Sequence, residues 1–159
     1  MVPTFHVRNF LRTLGTRSRR IRMVHPDADA SIRLPRRIDT PGAAAQVASD
    51  LLRHHREDIT LALYLDDRHR LVGTAIVAAG WVQNSRLSVR PILSGSHACH
   101  ATSCVLVRYG RYRGRNATEA EHRTFGILAA ACARHGLAVV DHLVVVPSGG
   151  HSSAFLGGP

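Results

Sequence analysis

Between Cys104 and Thr124 the chain reads CVLVRYGRYRGRNATEAEHRT, and this stretch constrains the fold more than any other. The apolar run Cys104-Val105-Leu106-Val107 has the character of a buried strand. An arginine-rich loop with glycines follows, from Arg108 to Arg115, and Thr118 then opens a helical pattern carried by Phe125, Leu128, Ala129 and Cys132. Strand ends that feed such loops are where α/β proteins place their chemistry. The residues standing in this loop therefore decide what any site can do.

The flanking sequence fits an α/β chain. Asp39-Thr40-Pro41 is a helix start, with a capping side chain and proline in the first turn. Ala44, Val47, Ala48, Leu51 and Leu52 then recur at helical spacing to about His54. Ile59 to Leu65 alternates as a strand, Asp66-Asp67-Arg68-His69 is a turn, and Leu71 to Ala79 is the hairpin partner, ended by Gly80. Ser88 caps a helix running to about His100, and His135-Gly136 closes the helix begun at Thr118. Leu137 to Val146 is an apolar strand, and Ala154 to Leu156 is a short terminal one.

The chain has 159 residues, the size of one domain, and 45% of them are apolar. The formal net charge is +10, and all 21 basic residues are arginine. GC-rich codon usage accounts for that bias; the surface attracts anions whatever its origin. Residues 1–37 form a basic N-terminal arm with nine arginines against Asp27 and Asp29, and residues 38–159 form the domain. The arm is a solvated tail, a nucleic-acid contact, or a segment packed across the domain through Phe5 and Phe10. Cys99, Cys104 and Cys132 have no metal-type spacing and suit buried free thiols in a reducing compartment. With no apolar run near the roughly 18 residues of a membrane span, and no leader pattern, the expectation is a cytoplasmic protein with no membrane partner.

The Cys104–Thr124 stretch resembles the core of the RadC-like JAB/MPN family, whose signature is an apolar strand, then H-x-H-P-S-G, then S-x-x-D at a helix start. The resemblance extends over residues 38–157 through Glu57, Leu65-Asp66, Gly80, Arg90, Asp141-His142 and His151-Ser152-Ser153-Ala154-Phe155. It implies a JAB/MPN (cytidine-deaminase-like) architecture, a mixed curved β-sheet flanked by helices. It also implies a zinc ion held by two histidines and an aspartate, with an upstream glutamate as general base. Laid on this sequence without a gap, the two histidines fall on Arg108 and Gly110, the proline on Arg111, the serine on Thr118 and the aspartate on Glu121. Glu57 takes the place of the base, so Glu57 and Thr118 are vestigial catalytic positions. Glu121 is the one carboxylate kept at a ligand position. Arginine offers only donors and glycine no side chain, whereas a catalytic zinc needs three protein ligands and a water. No cofactor is expected.

In place of the metal, an ion pair of Arg108 with Glu121 or with Glu57 is expected to fill the pocket. Arg108, Tyr109, Arg111, Tyr112, Arg113 and Arg115 form the candidate binding set. Tyrosine and arginine alternating with glycine suit stacking on bases and pairing with phosphates, so nucleic acid is the first partner. An acidic protein or a paired JAB/MPN subunit is the second, and drift of a lapsed catalytic loop is the equal alternative. The function expected is thus that of a catalytically silent JAB/MPN domain acting by binding. The rival is a zinc-dependent metallopeptidase-like hydrolase with rearranged ligands: Glu57, Glu121 and His122 or His100. His97, Cys99, His100 and Cys104 match no structural zinc spacing, and His142 is expected to be a hydrogen-bonded core histidine. Ser148, His151 and Asp141 lack the nucleophile elbow that a catalytic triad on this kind of fold would need.

Overall fold

The computed structural model describes residues 37–79, 88–110 and 118–153. In chain order the elements are α1 (Pro41–Leu52), β1 (Ile59–Leu65), β2 (Leu71–Ala79), α2 (Val89–Cys99), β3 (Ser103–Tyr109), α3 (Glu119–Ala133), β4 (Ala138–Val145) and β5 (His151–Ser153). The strands form one five-stranded sheet in the order β2-β1-β3-β4-β5. β1 runs antiparallel to both β2 and β3, β3 and β4 are parallel, and β4 and β5 are antiparallel. The sheet is mixed, as expected, and its parallel pair is joined by the crossover helix α3. Among the described residues no helix is long and apolar enough to cross a membrane.

Local chemistry explains the boundaries. Thr40 accepts a hydrogen bond from the Ala43 N–H at 3.1 Å with Pro41 at the first helical position, and Ser88 accepts from the Arg90 N–H at 3.3 Å. α2 stops at His100, which takes the left-handed conformation (φ 55°), and α3 is closed by Gly136 (φ 78°). A last strand, β5, occupies His151–Ser153; the strand expected at 154–156 falls on residues that are not described. Residues 154–156, Gly80 and the arm up to residue 36 lie outside the described residues.

Helices cover both faces of the sheet. On one, Leu61, Leu63, Val105, Val107, Leu143 and Val145 pack with Ala44, Val47, Ala48 and Leu52 of α1. On the other, Ala62, Tyr64, Cys104 and Leu106 pack with Ile92 of α2 and with Phe125, Leu128 and Cys132 of α3. The inner strands β1 and β3 are buried on both sides, which is why their sequences are nearly continuous apolar runs. The three cysteines are free thiols. Burial pushes them all up, Cys99 to about 11, so none is poised as a nucleophile.

Register fixes the two ends of the sheet. Ile59, Ala79, Tyr109 and Val145 share one end, and Leu65, Leu71, Ser103 and Ala138 the other. The chain passes from Tyr109 to Gly110 at the first end. The arm joins at the second, where Arg37 bridges to Arg70 and the Ile38 N–H donates to His69 O at 2.8 Å. Arg37 and Gly110 therefore lie at opposite ends of the sheet.

Candidate functional site

Strand alternation sets which side chains of β3 meet α3. Arg108 falls on the same face as Leu106 and Cys104, beneath the first turn of α3, and the Arg108 Nε stands 2.7 Å from Glu121 Oε1. The two side chains are 9% and 2% exposed. Glu121 is fixed from its other side as well: its Oε2 accepts the Thr118 N–H at 2.7 Å, while Thr118 Oγ1 accepts the Glu121 N–H at 3.2 Å. This reciprocal capping box gives Thr118 and Glu121 a structural task at the helix start. Of the two ion pairs expected from sequence, the structure contains Arg108–Glu121.

Glu57 stands exposed on the bend before β1. The carboxylate facing the second histidine position belongs to the next residue, Asp58. A Cβ built on Gly110 would run into the Asp58 carboxylate, and Asp58 Oδ1 is enclosed with no hydrogen-bond partner among the described residues. Gly110 is itself tied down, its N–H donating to Val145 O at 3.2 Å. Asp58 escaped the sequence analysis, although period-2 counting finds it. Asp58 shares a face with Thr60, which lies opposite Arg108, whereas Glu57 shares the face of Ile59 and Leu61.

His142 of β4 lies opposite Leu106, and its ring stacks on Phe125 with centroids 3.2 Å apart and planes at 22°. It is a core histidine but not a hydrogen-bonded one, since neither ring nitrogen has a partner among the described residues. Strand β4 turns the ring into an apolar layer where an aromatic face is the available neighbour. Burial first, then the charges of Arg108 and His122, push its pKa down to about 3. The imidazole is neutral.

Of the binding set, Arg108 and Tyr109 are among the described residues. β3 extends through Tyr109, so Arg108 lies buried under α3 and Tyr109, 3% exposed, is driven into the α1 side of the core. Neither is placed to stack on or pair with an external partner. Arg111, Tyr112, Arg113 and Arg115 lie outside the described residues.

The zinc implied by the resemblance fails a test of donors. A guanidinium stands at the first ligand position, a glycine at the second, and both Glu121 oxygens are engaged at the third. The rearranged set does not converge either. Glu57 and His122 are exposed, and His100 ends α2 just before β3 begins, at the opposite end of the sheet from Gly110. His97 Nδ1 lies 2.8 Å from Leu93 O of its own helix. Among the described residues no three His, Cys, Asp or Glu side chains are grouped as metal ligands. Asp141 accepts from the His142 N–H and from Ser153 Oγ, both at 2.7 Å, and so pins β5 to β4.

Similarity to known proteins bears on identity. The UPF0758 proteins of Burkholderia mallei (strain SAVP1) and Burkholderia pseudomallei (strain 668) are each 28% identical to this chain over 120 residues, 76% of this chain and 43% of theirs. A UPF0758 protein of Pseudomonas fluorescens (strain SBW25) is 23% identical over 108 residues, 68% of this chain and 48% of the relative. The chain thus spans less than half the length of these relatives. Residues 38–156 match the model of the RadC-like JAB domain. Together with the mixed sheet and its flanking helices, that match means that this chain belongs to the RadC-like JAB domain family.

Proposed function

We propose that this chain is a metal-independent RadC-like JAB domain protein that works by binding, with nucleic acid as its partner. The distribution of charge carries this reading. In the described residues nine arginines and nine carboxylates balance, so the net charge there is zero. The rest of the chain holds twelve arginines against Asp27 and Asp29, which is the whole of the +10. Attraction for a polyanion therefore resides in the arm and in the segments around Arg86 and Arg111–Arg115, attached to an electrically balanced core. The alternation of arginine, tyrosine and glycine after Gly110 supplies both phosphate-pairing and base-stacking groups. Hydrolysis has less support, because among the described residues no group of metal ligands is arranged to lower the pKa of a water.

Binding of a single-stranded DNA oligonucleotide, titrated across salt concentrations, tests the reading. Replacing Arg111, Arg113 and Arg115 together by alanine is expected to weaken affinity and to flatten the slope of log K against log salt by about 2. Salt-independent binding, or a triple variant that binds like the parent, overturns the nucleic-acid assignment and favours an acidic protein partner. Metal independence is checked by plasma mass spectrometry on untagged protein purified without chelator and then offered zinc. Well under one zinc per chain is expected; one tightly held zinc per chain overturns the reading in favour of a hydrolase.

A further inference from the structure

We infer that the Arg108 guanidinium takes the place of a bound cation beneath the first turn of α3, clasping β3 to the helix and closing the pocket to metal. Three observations meet here. Glu121 is 1% exposed and carries its charge into the core, where a carboxylate without a counter-charge is costly. Its orientation is set by the capping box with Thr118, so the position that a cation must occupy is fixed by the start of α3 itself. The charge at that position comes from Arg108 on the neighbouring strand, with Nε 2.7 Å from Oε1. A guanidinium is planar, permanently charged and weakly hydrated, which makes it the side chain best suited to a buried carboxylate.

The second position is closed by a different pair. Gly110 lies two residues beyond Arg108 on the same strand path, and the Asp58 carboxylate fills the room that a side chain there would need. Putting a ligand back at residue 110 thus requires Asp58 to move, and putting one back at 108 removes the guanidinium from Glu121 Oε1. Each position thus carries its own obstacle to regaining a ligand. The clasp holds whichever partner the chain binds, and it concerns stability, not the binding loop.

Thermal unfolding of single and double variants tests the clasp. Arg108→Met keeps length and apolar volume but removes the charge; a fall in Tm of roughly 10 °C is expected, with no recovery on adding zinc. Arg108→Met with Glu121→Gln removes both charges and keeps the side-chain acceptor of the capping box; it is expected to recover at least half of the loss. Should the single variant fail to fold, the double variant still decides: it must fold, and melt above 37 °C. A single variant that melts with the parent overturns the inference. So does a double variant no better than the single, or restoration of the single variant by one equivalent of zinc.

Discussion

Lowering the pH from 6.5 to about 4.5 is expected to destabilise this domain by about 2–3 kcal/mol through His142 alone, and His142→Phe to remove that component. In the folded chain burial, followed by the charges of Arg108 and His122, holds the imidazole neutral down to about pH 3, against 6.5 for a free histidine. Between those two values the unfolded chain takes up a proton that the folded chain refuses. Stability is thus fully present above pH 6.5 and falls as the pH drops, by about 1.4 kcal/mol per unit for one proton. The steepness reflects what the site lacks: neither ring nitrogen has a hydrogen-bond partner among the described residues, and the charges that face the ring from β3 and α3 include the cationic Arg108. Urea midpoints for parent and variant at pH 7, 6, 5 and 4.5 measure the effect. Exposed histidines and carboxylates titrate in both proteins, so the difference between the two curves isolates residue 142. Phenylalanine preserves the stacking on Phe125, and its curve is expected to fall less steeply. Parallel curves would show that the ring takes up its proton as readily in the folded chain as in the unfolded one.

The fold was legible because its signals are local. Capping at Thr40, Ser88 and Thr118, the alternation of β1 and the apolar runs of β3 and β4 each depend on residues a few positions apart. The Arg108–Glu121 pair was also within reach, since strand end and helix start are adjacent in a crossover. Asp58 was missed and Tyr109 assigned to the loop for one shared reason. Both turn on where a strand begins and ends, and a shift of one residue moves a side chain to the other face of the sheet. Ending β3 at Arg108 frees Tyr109 for a loop, whereas ending it at Tyr109 buries the ring. Counting back from Ile59 puts Asp58, not Glu57, on the face of Arg108. His142 was recognised as a core residue. Its partner was not, because the stacking ring comes from α3, seventeen positions earlier in the chain.

Gly95 is a residue at which helix propensity alone gives the wrong sign, and Gly95→Ala is expected to cost about 3 kcal/mol. In an isolated helix the same change stabilises by about 1 kcal/mol, because glycine is the poorer helix former. In this fold α2 lies on Tyr64 of β1, whose side chain is fully buried and whose hydroxyl donates to Ile92 O at 2.9 Å. A Cβ on Gly95 would overlap both the hydroxyl and the ring of Tyr64. The ring cannot retreat, since β1 is flanked by β2 and β3 and the hydroxyl is pinned to the helix carrying the glycine. Overpacking of this kind costs about 1–3 kcal/mol, and with both partners fixed the upper end applies. A double-mutant cycle identifies the cause. Tyr64→Leu costs about 2–4 kcal/mol by itself, through lost volume and the lost hydrogen bond. Once that room exists, Gly95→Ala is expected to be neutral or mildly stabilising, so that the pair is coupled by several kcal/mol. Additive losses in the cycle would mean that the glycine serves the backbone of α2 and not the ring beneath it.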